Sequence, residues 1–349
     1  MNKFSMMPIA VVLSSVLTAP PSFAQPIAPA ADGTNTQVNP EGNQFNITGG
    51  TLSGDQLNLF HSFQQFGLEA GQIANFLSSP EIQNILGRVT GGDASIINGL
   101  IQITGGNSNL FLMNPAGILF GPNASLNVPA SFTATTATAI GFGNDWFQAV
   151  GENNWGNLVG PPSQFYFDIS QPGVIANLGN LSLSPGQNLT LLGGTVLNVG
   201  TLSSPGGNIT VAAIPGESRV RISQANNLLS LEVTPSPTHP LTSQLTPLSL
   251  PELLTGSGVS HANQVQVNPD GTVALTGSHS QVPVDSGDAV ASGEINVTGE
   301  SGGTVQLLGE RVAVVPPSSM LQASMTGGQS WWGVSIRVKV LFPMPPIPL

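Results

Sequence analysis

The 349-residue sequence contains no cysteine. That excludes a disulfide framework and any thiolate metal site. Charge is almost as scarce, with charged residues at 7%, only 7 Lys+Arg against 18 Asp+Glu, and a net charge of -11. Seven basic residues cannot form the clustered surface that neutralises phosphates, so nucleic acid is excluded as a partner. A helical bundle normally draws on far more Lys, Glu and Arg, and disorder driven by charge does not fit a hydrophobic content of 40%. Beyond the first two dozen residues no apolar run is long enough to span a bilayer as a helix. What is abundant is turn chemistry: 42 Gly and 29 Pro. A chain of this length can bury a core, and its composition predicts a β-rich, turn-rich extracellular protein.

Met1 to Ala24 reads as a secretory signal: Lys3 is the basic start, Ile9 to Leu17 the apolar core, and Ser22-Phe23-Ala24 a small-x-small cleavage site before Gln25. From Asp32 to Thr51 turn pairs fall at Asp32-Gly33, Asn39-Pro40 and Gly49-Gly50, as expected of a cap and first strands. Leu59, Phe60, Phe63 and Phe66 stand at helix-like spacing, with core packing the preferred role. His61 lies among them without the partners catalysis requires. Residues 70–86 have room for a helical turn, with Ser79-Pro80-Glu81 as its start.

Asp93 to Thr104 alternates apolar and polar residues and leads into Asn107 to Phe142, where Leu110, Leu112, Ile118, Phe120 and Leu126 are punctuated by Asn-Pro, Gly-Pro and Asn-Ala turns. Further on, Ser184 to Leu191 recurs as Ser204 to Val211, 20 residues later, which is a solenoid period. The Asn-x-Ser/Thr triplets at Asn188, Asn208 and Asn296 recur at strand starts, so a ladder of turn residues explains them better than glycosylation does. Glu232 to Val290 is too rich in Pro, Ser and Thr for inner strands and reads as an excursion. Strand patterning then resumes at Glu294-Ile295-Asn296-Val297, Gly303 to Leu307 and Arg311 to Val315.

Asn114-Pro115-Ala116-Gly117-Ile118, Phe120-Gly121-Pro122-Asn123-Ala124 and Ser131 to Ala137 resemble the N-terminal secretion domain of filamentous haemagglutinin-like exoproteins, the exported partners of two-partner secretion systems. Leu59-Phe60-His61-Ser62-Phe63 and Asn84 to Gly92 fit the same family, in a variant resembling those of cyanobacterial exoproteins. The resemblance implies an all-β fold, a right-handed parallel β-helix of the pectin-lyase-like kind with an N-terminal cap and extra-helical loops. It also implies an outer-membrane pore as partner, a cell-surface receptor or glycan as a further one, no cofactor, and a secreted or cell-surface location. Asn114, Pro115, Ala116, Gly117 and Ile118 are the expected secretion motif, either read directly by the pore or required for folding. A second signature of some members, Asn-Pro-Asn-Leu, is replaced here by Ser78-Ser79-Pro80-Glu81-Ile82.

The expected organisation is 1–24 signal peptide, 25–170 secretion domain, 171–231 β-helix continuation, 232–290 excursion, 291–328 resumed β-helix and 329–349 an atypical tail. In that tail codons can be chosen so that another frame reads as the Gly-rich continuation typical of the family, with Trp331, Trp332 and Met344, each fixed to one codon, still complying. Two readings of the tail stay open: a frameshift near Gly328, or a genuine short tail with an apolar end. An enzyme on the same scaffold needs clustered carboxylates, whereas Asp55, Asp93, Asp145 and Asp168 are scattered and basic partners are few. No Gly-x-Ser-x-Gly elbow or phosphate loop is present. The delivery end of a contact-dependent toxin shares the same N-terminus, but the chain after residue 328 leaves no length for a toxin domain. A non-enzymatic secreted adhesin is the reading carried forward.

Overall fold

A computed structural model describes residues 27–222, 229–230, 250–251, 254, 265–268, 273–275, 280–282, 286–299, 303–315 and 334–340. The expected signal peptide and most of the Pro/Ser/Thr-rich excursion and of the tail lie outside these residues. The described chain winds as a three-sided parallel β-helix. A complete coil contributes one strand to sheet 1, then sheet 2, then sheet 3; the first coil reaches sheet 2 only through the isolated bridge Leu68↔Ile97. One such coil is Asn84–Val89, Ser95–Ile97 and Leu100–Thr104, and the next is Asn109–Met113, Ile118–Phe120 and Ser125–Asn127. The coils stack in parallel register, as in Leu110↔Ile85 and Leu110↔Phe132.

Alternation places Leu59, Phe63, Ile85, Leu110, Leu112, Phe132, Leu189, Leu191, Ile209 and Val211 inside, in one continuous apolar column. The 20-residue repeat is one whole coil: Asn188 pairs with Asn208 and Leu189 with Ile209. The two asparagines form the expected ladder, Asn208 Nδ2 donating to Asn188 Oδ1 at 2.8 Å. The same ladder joins Asn84 to Asn58 at 2.8 Å and Asn109 to Asn84 at 2.9 Å. At the corner between sheets 2 and 3 the coils approach so closely that a Cβ on Gly200 would lie 2.2 Å from Gly179 O, and one on Gly293 1.9 Å from Gly200 O. Only glycine fits there.

An antiparallel hairpin, Thr36–Glu41 with Gln44–Gly49, ends sheet 3 and caps the helix, and Ala28–Pro29 pairs antiparallel with Asn58–Gln65. Three details differ from the sequence reading. The hairpin turns at Gly42 (φ 59°), while Asn39-Pro40 lies within the terminal strand. There the missing proline N–H faces no neighbouring strand. Asn58–Gln65 is a strand and not a helix, because Leu59 and Phe63 face the core while Phe60 packs outward. Residues 79–82 form a single turn, Ile82 N–H donating to Ser79 O at 3.1 Å between the strands Ile73–Leu77 and Asn84–Val89. No helix starts at Ser79-Pro80-Glu81; the proline marks a solenoid corner.

The three faces are covered differently. After Phe132–Thr135 the chain leaves the solenoid to form Ala139–Phe142, Asp145–Gln148 and Gln164–Phe167, an antiparallel lateral sheet that Ser218–Ile222 later joins. Its Ile140, Phe142, Phe147, Phe165 and Phe167 pack onto the outward Phe60, Leu86, Met113 and Leu192 of sheet 1. Leu250, Leu254, Val273 and Leu275 pack with the outward Leu119, Ala176 and Leu197 of sheet 2. Sheet 3 instead turns Gln44, Asn46, Gln102, Asn127, Ser182 and Ser203 outward, half-buried or exposed. The solenoid resumes at Asp288–Ala291, paired with Thr195–Asn198, and Val334–Val340 adds in parallel to Gly303–Gly309.

Candidate functional site

The motif Asn114 to Ile118 is the corner where sheet 1 passes to sheet 2. The apolar strand Asn109–Met113 ends there because Asn114 and Pro115 cannot extend it. Asn114 Oδ1 accepts the Ala116 N–H at 3.0 Å, and its backbone carbonyl accepts the Gly117 N–H at 3.1 Å. This is an Asx turn closed by a backbone turn. Gly117 takes φ 125°, a conformation that side chains resist. Ile118 then starts the sheet 2 strand, pointing into the core with no exposure.

Neighbouring coils hold the corner from both sides. Asn114 Nδ2 donates to Asp93 O at 3.0 Å and Ser95 Oγ at 2.9 Å in the coil before, and its N–H donates to Thr135 O at 2.9 Å in the coil after. A Cβ on Gly173 would lie 2.4 Å from Pro115 O, so the overlying coil also presses close. Asn114 and Ala116 are each 1% exposed, and Pro115, Gly117 and Ile118 are buried as well. The side-chain amide spends both donors and its acceptor inside the protein. No surface of the folded motif is offered to a partner.

A second polar cluster, which the sequence reading did not identify, centres on Arg88, 1% exposed on the outward side of sheet 1. Its Nε donates to Ser62 Oγ at 3.0 Å, Nη1 to Gln148 O at 2.7 Å and Gly151 O at 2.9 Å, and Nη2 to Asp32 Oδ2 at 2.8 Å. The guanidinium also lies 5.8 Å from the Phe147 ring centroid and 5.4 Å from that of Trp155. One side chain thereby ties the cap, two solenoid strands and the first excursion together. Burial pulls the guanidinium pKa down, offset in part by Asp32. Burial alone would raise the Asp32 carboxyl, but hydrogen bonds from Ser62, Thr34 and Arg88 outweigh it and hold the carboxyl below its ordinary value. The available signal was a lone arginine inside an apolar strand, which demands a buried acidic partner.

His61 is fully buried between the cap and the core, its Nδ1 3.4 Å from Thr36 Oγ1 and its ring packed near Phe63 and Phe76. Burial pushes its pKa down to about 4. It is a neutral core residue. The four aspartates singled out in the sequence sit in four separate segments, Asp145 on a strand and Asp55, Asp93 and Asp168 in connecting loops. Asp55 is committed to Ser53 and to the Leu57 and Gly160 N–H groups. Among the described residues no group of three or more His, Asp or Glu side chains gathers to hold a metal ion, and no helix is long and apolar enough to cross a membrane.

A family model described as the TPS secretion domain matches residues 24–244. Among solved structures, the HMW1 secretion domain from Haemophilus influenzae is similar with a TM-score of 0.49 and 18% identity, covering 83% of this chain and 57% of that one. The chain thus spans little more than half the length of that relative. The filamentous hemagglutinin secretion domain is similar with a TM-score of 0.42 and 16% identity, covering 90% of this chain and 96% of that one. No protein of curated function matches. With the match running from the cap through the first five coils, the chain belongs to the TPS secretion-domain family of two-partner secretion exoproteins.

Proposed function

We propose that this chain is exported through a partner outer-membrane pore under the direction of its N-terminal domain, and that the exposed solenoid then serves adhesion to a cell-surface receptor or glycan. The observation that carries the reading is the family match over residues 24–244, laid on a capped parallel β-helix. Within it, Met1 to Ala24 is the signal removed near Ala24-Gln25, residues 25–170 are the secretion unit, and the coils beyond extend the shaft. Coil-by-coil folding outside the cell buries apolar area that the extended chain exposes, which favours outward movement.

In this reading the Asn114–Ile118 corner acts through folding. Its buried amide network supports that role, since a pore domain meeting the folded protein has nothing of the motif to touch. The function is non-enzymatic, so purified protein leaves polygalacturonate uncleaved; release of unsaturated or reducing ends would overturn this point. The deciding experiment expresses the full chain in a Gram-negative host with and without a candidate pore. Pore-dependent appearance of the chain in the medium or on the surface is the expected result. Retention in the periplasm with every pore encoded beside two-partner exoproteins in the source genome would refute the assignment.

A further inference from the structure

A cavity of about 470 Å³ opens where the cap, the first coils and the first excursion meet, and Asp32, Arg88, Glu152 and Trp155 line it. Its size lies within the range of small-molecule sites. We propose that it binds one sugar unit of an uncharged glycan, a pyranose ring set against the indole of Trp155. The proposal deepens the adhesion reading and rests on it for its biological role.

Four observations converge. Trp155 is half-buried and held by Phe60 and Phe147, with ring centroids at 5.4 Å and 5.9 Å, so an aromatic surface is fixed before any ligand arrives. Arg88 is buried and has bonds to Ser62, Gln148, Gly151 and Asp32 for four of its five N–H donors, which among the described residues leaves one on Nη2 for an occupant. Glu152 is exposed at the rim, and its carboxylate has no hydrogen-bond partner among the described residues, so it is available to accept from hydroxyls. The charges of Asp32 and Arg88 cancel as an ion pair at 2.8 Å, leaving Glu152 as the net charge of the site on a chain of net charge -11. An acidic sugar is therefore repelled, and an apolar ligand would strand the Arg88 donor. A ring with one C–H face and several hydroxyls matches the aromatic wall, the single donor and the free acceptor together.

The purified full chain is titrated with methyl α-D-glucopyranoside, methyl β-D-galactopyranoside, N-acetyl-D-glucosamine and methyl β-D-glucuronide, followed by saturation-transfer NMR and tryptophan fluorescence. At least one neutral sugar saturates, and the glucuronide binds at least about tenfold more weakly, the factor that corresponds to one unfavourable charge contact. Glu152→Gln, at an exposed position, weakens the neutral sugar about tenfold with an unchanged melting temperature, and Trp155→Phe weakens it as well. The site is overturned if no neutral sugar saturates, if the glucuronide binds as well as they do, or if both variants keep full affinity. Erythrocyte agglutination separates the two readings. Agglutination without sugar binding leaves adhesion standing and removes this site, whereas sugar binding without agglutination keeps the site and removes adhesion.

Discussion

Asn114→Ala is the perturbation that separates folding from direct recognition. The substitution deletes donors to Asp93 O and Ser95 Oγ and the acceptor for the Ala116 N–H, all within a corner where Asn114 is 1% exposed. An unsatisfied buried group costs about 1–3 kcal/mol, and at least two are left here, so the expected loss is about 2–6 kcal/mol. For a chain of this size that lowers the melting temperature by on the order of 3–8 °C. In a solenoid the damage is local, because stability is a sum over coils and their contacts. Hydrogen exchange should therefore accelerate first at Ala116, Gly117 and Ser95. The assay pairs thermal melts and exchange on refolded protein with pore-dependent export in cells. A variant that melts and exchanges like the parent yet fails to be exported would refute the folding role and make the motif a directly read signal.

Four further outcomes follow from the same physics. His61 has its pKa pushed down to about 4 by burial, so between pH 6.5 and 4 only the unfolded chain takes up its proton; stability falls as pH drops through that window, by about 3 kcal/mol in all, and His61→Leu flattens the slope in denaturant melts. Asp32→Ala strands the buried Arg88 and costs about 3–5 kcal/mol, read by the same melts, with little sensitivity to salt. Gly200→Ala drives a methyl to 2.2 Å from Gly179 O and should lose at least about 3 kcal/mol, whereas Gly186→Ala, which meets open space at φ 80°, should cost about 1–2 kcal/mol. Refolding in the presence of EDTA should proceed to the same melting temperature as without it, and a chelator-sensitive fold would contradict the metal-free reading.

By itself the sequence determined the class of architecture. The 20-residue recurrence from Ser184 to Val211, the closely spaced turn residues of Asn107 to Phe142 and the scarcity of charge all follow from local chemistry: glycine and asparagine at corners, alternating apolar residues between them. The family blocks were equally legible, since they are contiguous in the chain. What only the tertiary structure decided is what covers each strand. Leu59, Phe60, Phe63 and Phe66 mimic helical spacing because the lateral sheet buries the outer face of sheet 1, and a strand buried on both sides loses its simple alternation. Arg88 could not be assigned from its neighbours, because its partners at residues 32, 62, 148 and 151 meet only when the excursion folds back over the first coils. The surroundings of Asn114 were likewise undecidable in one dimension. A turn residue and a recognition residue share the same letters, and it is the stacking of coils above and below that buries the amide and commits its bonds to folding contacts.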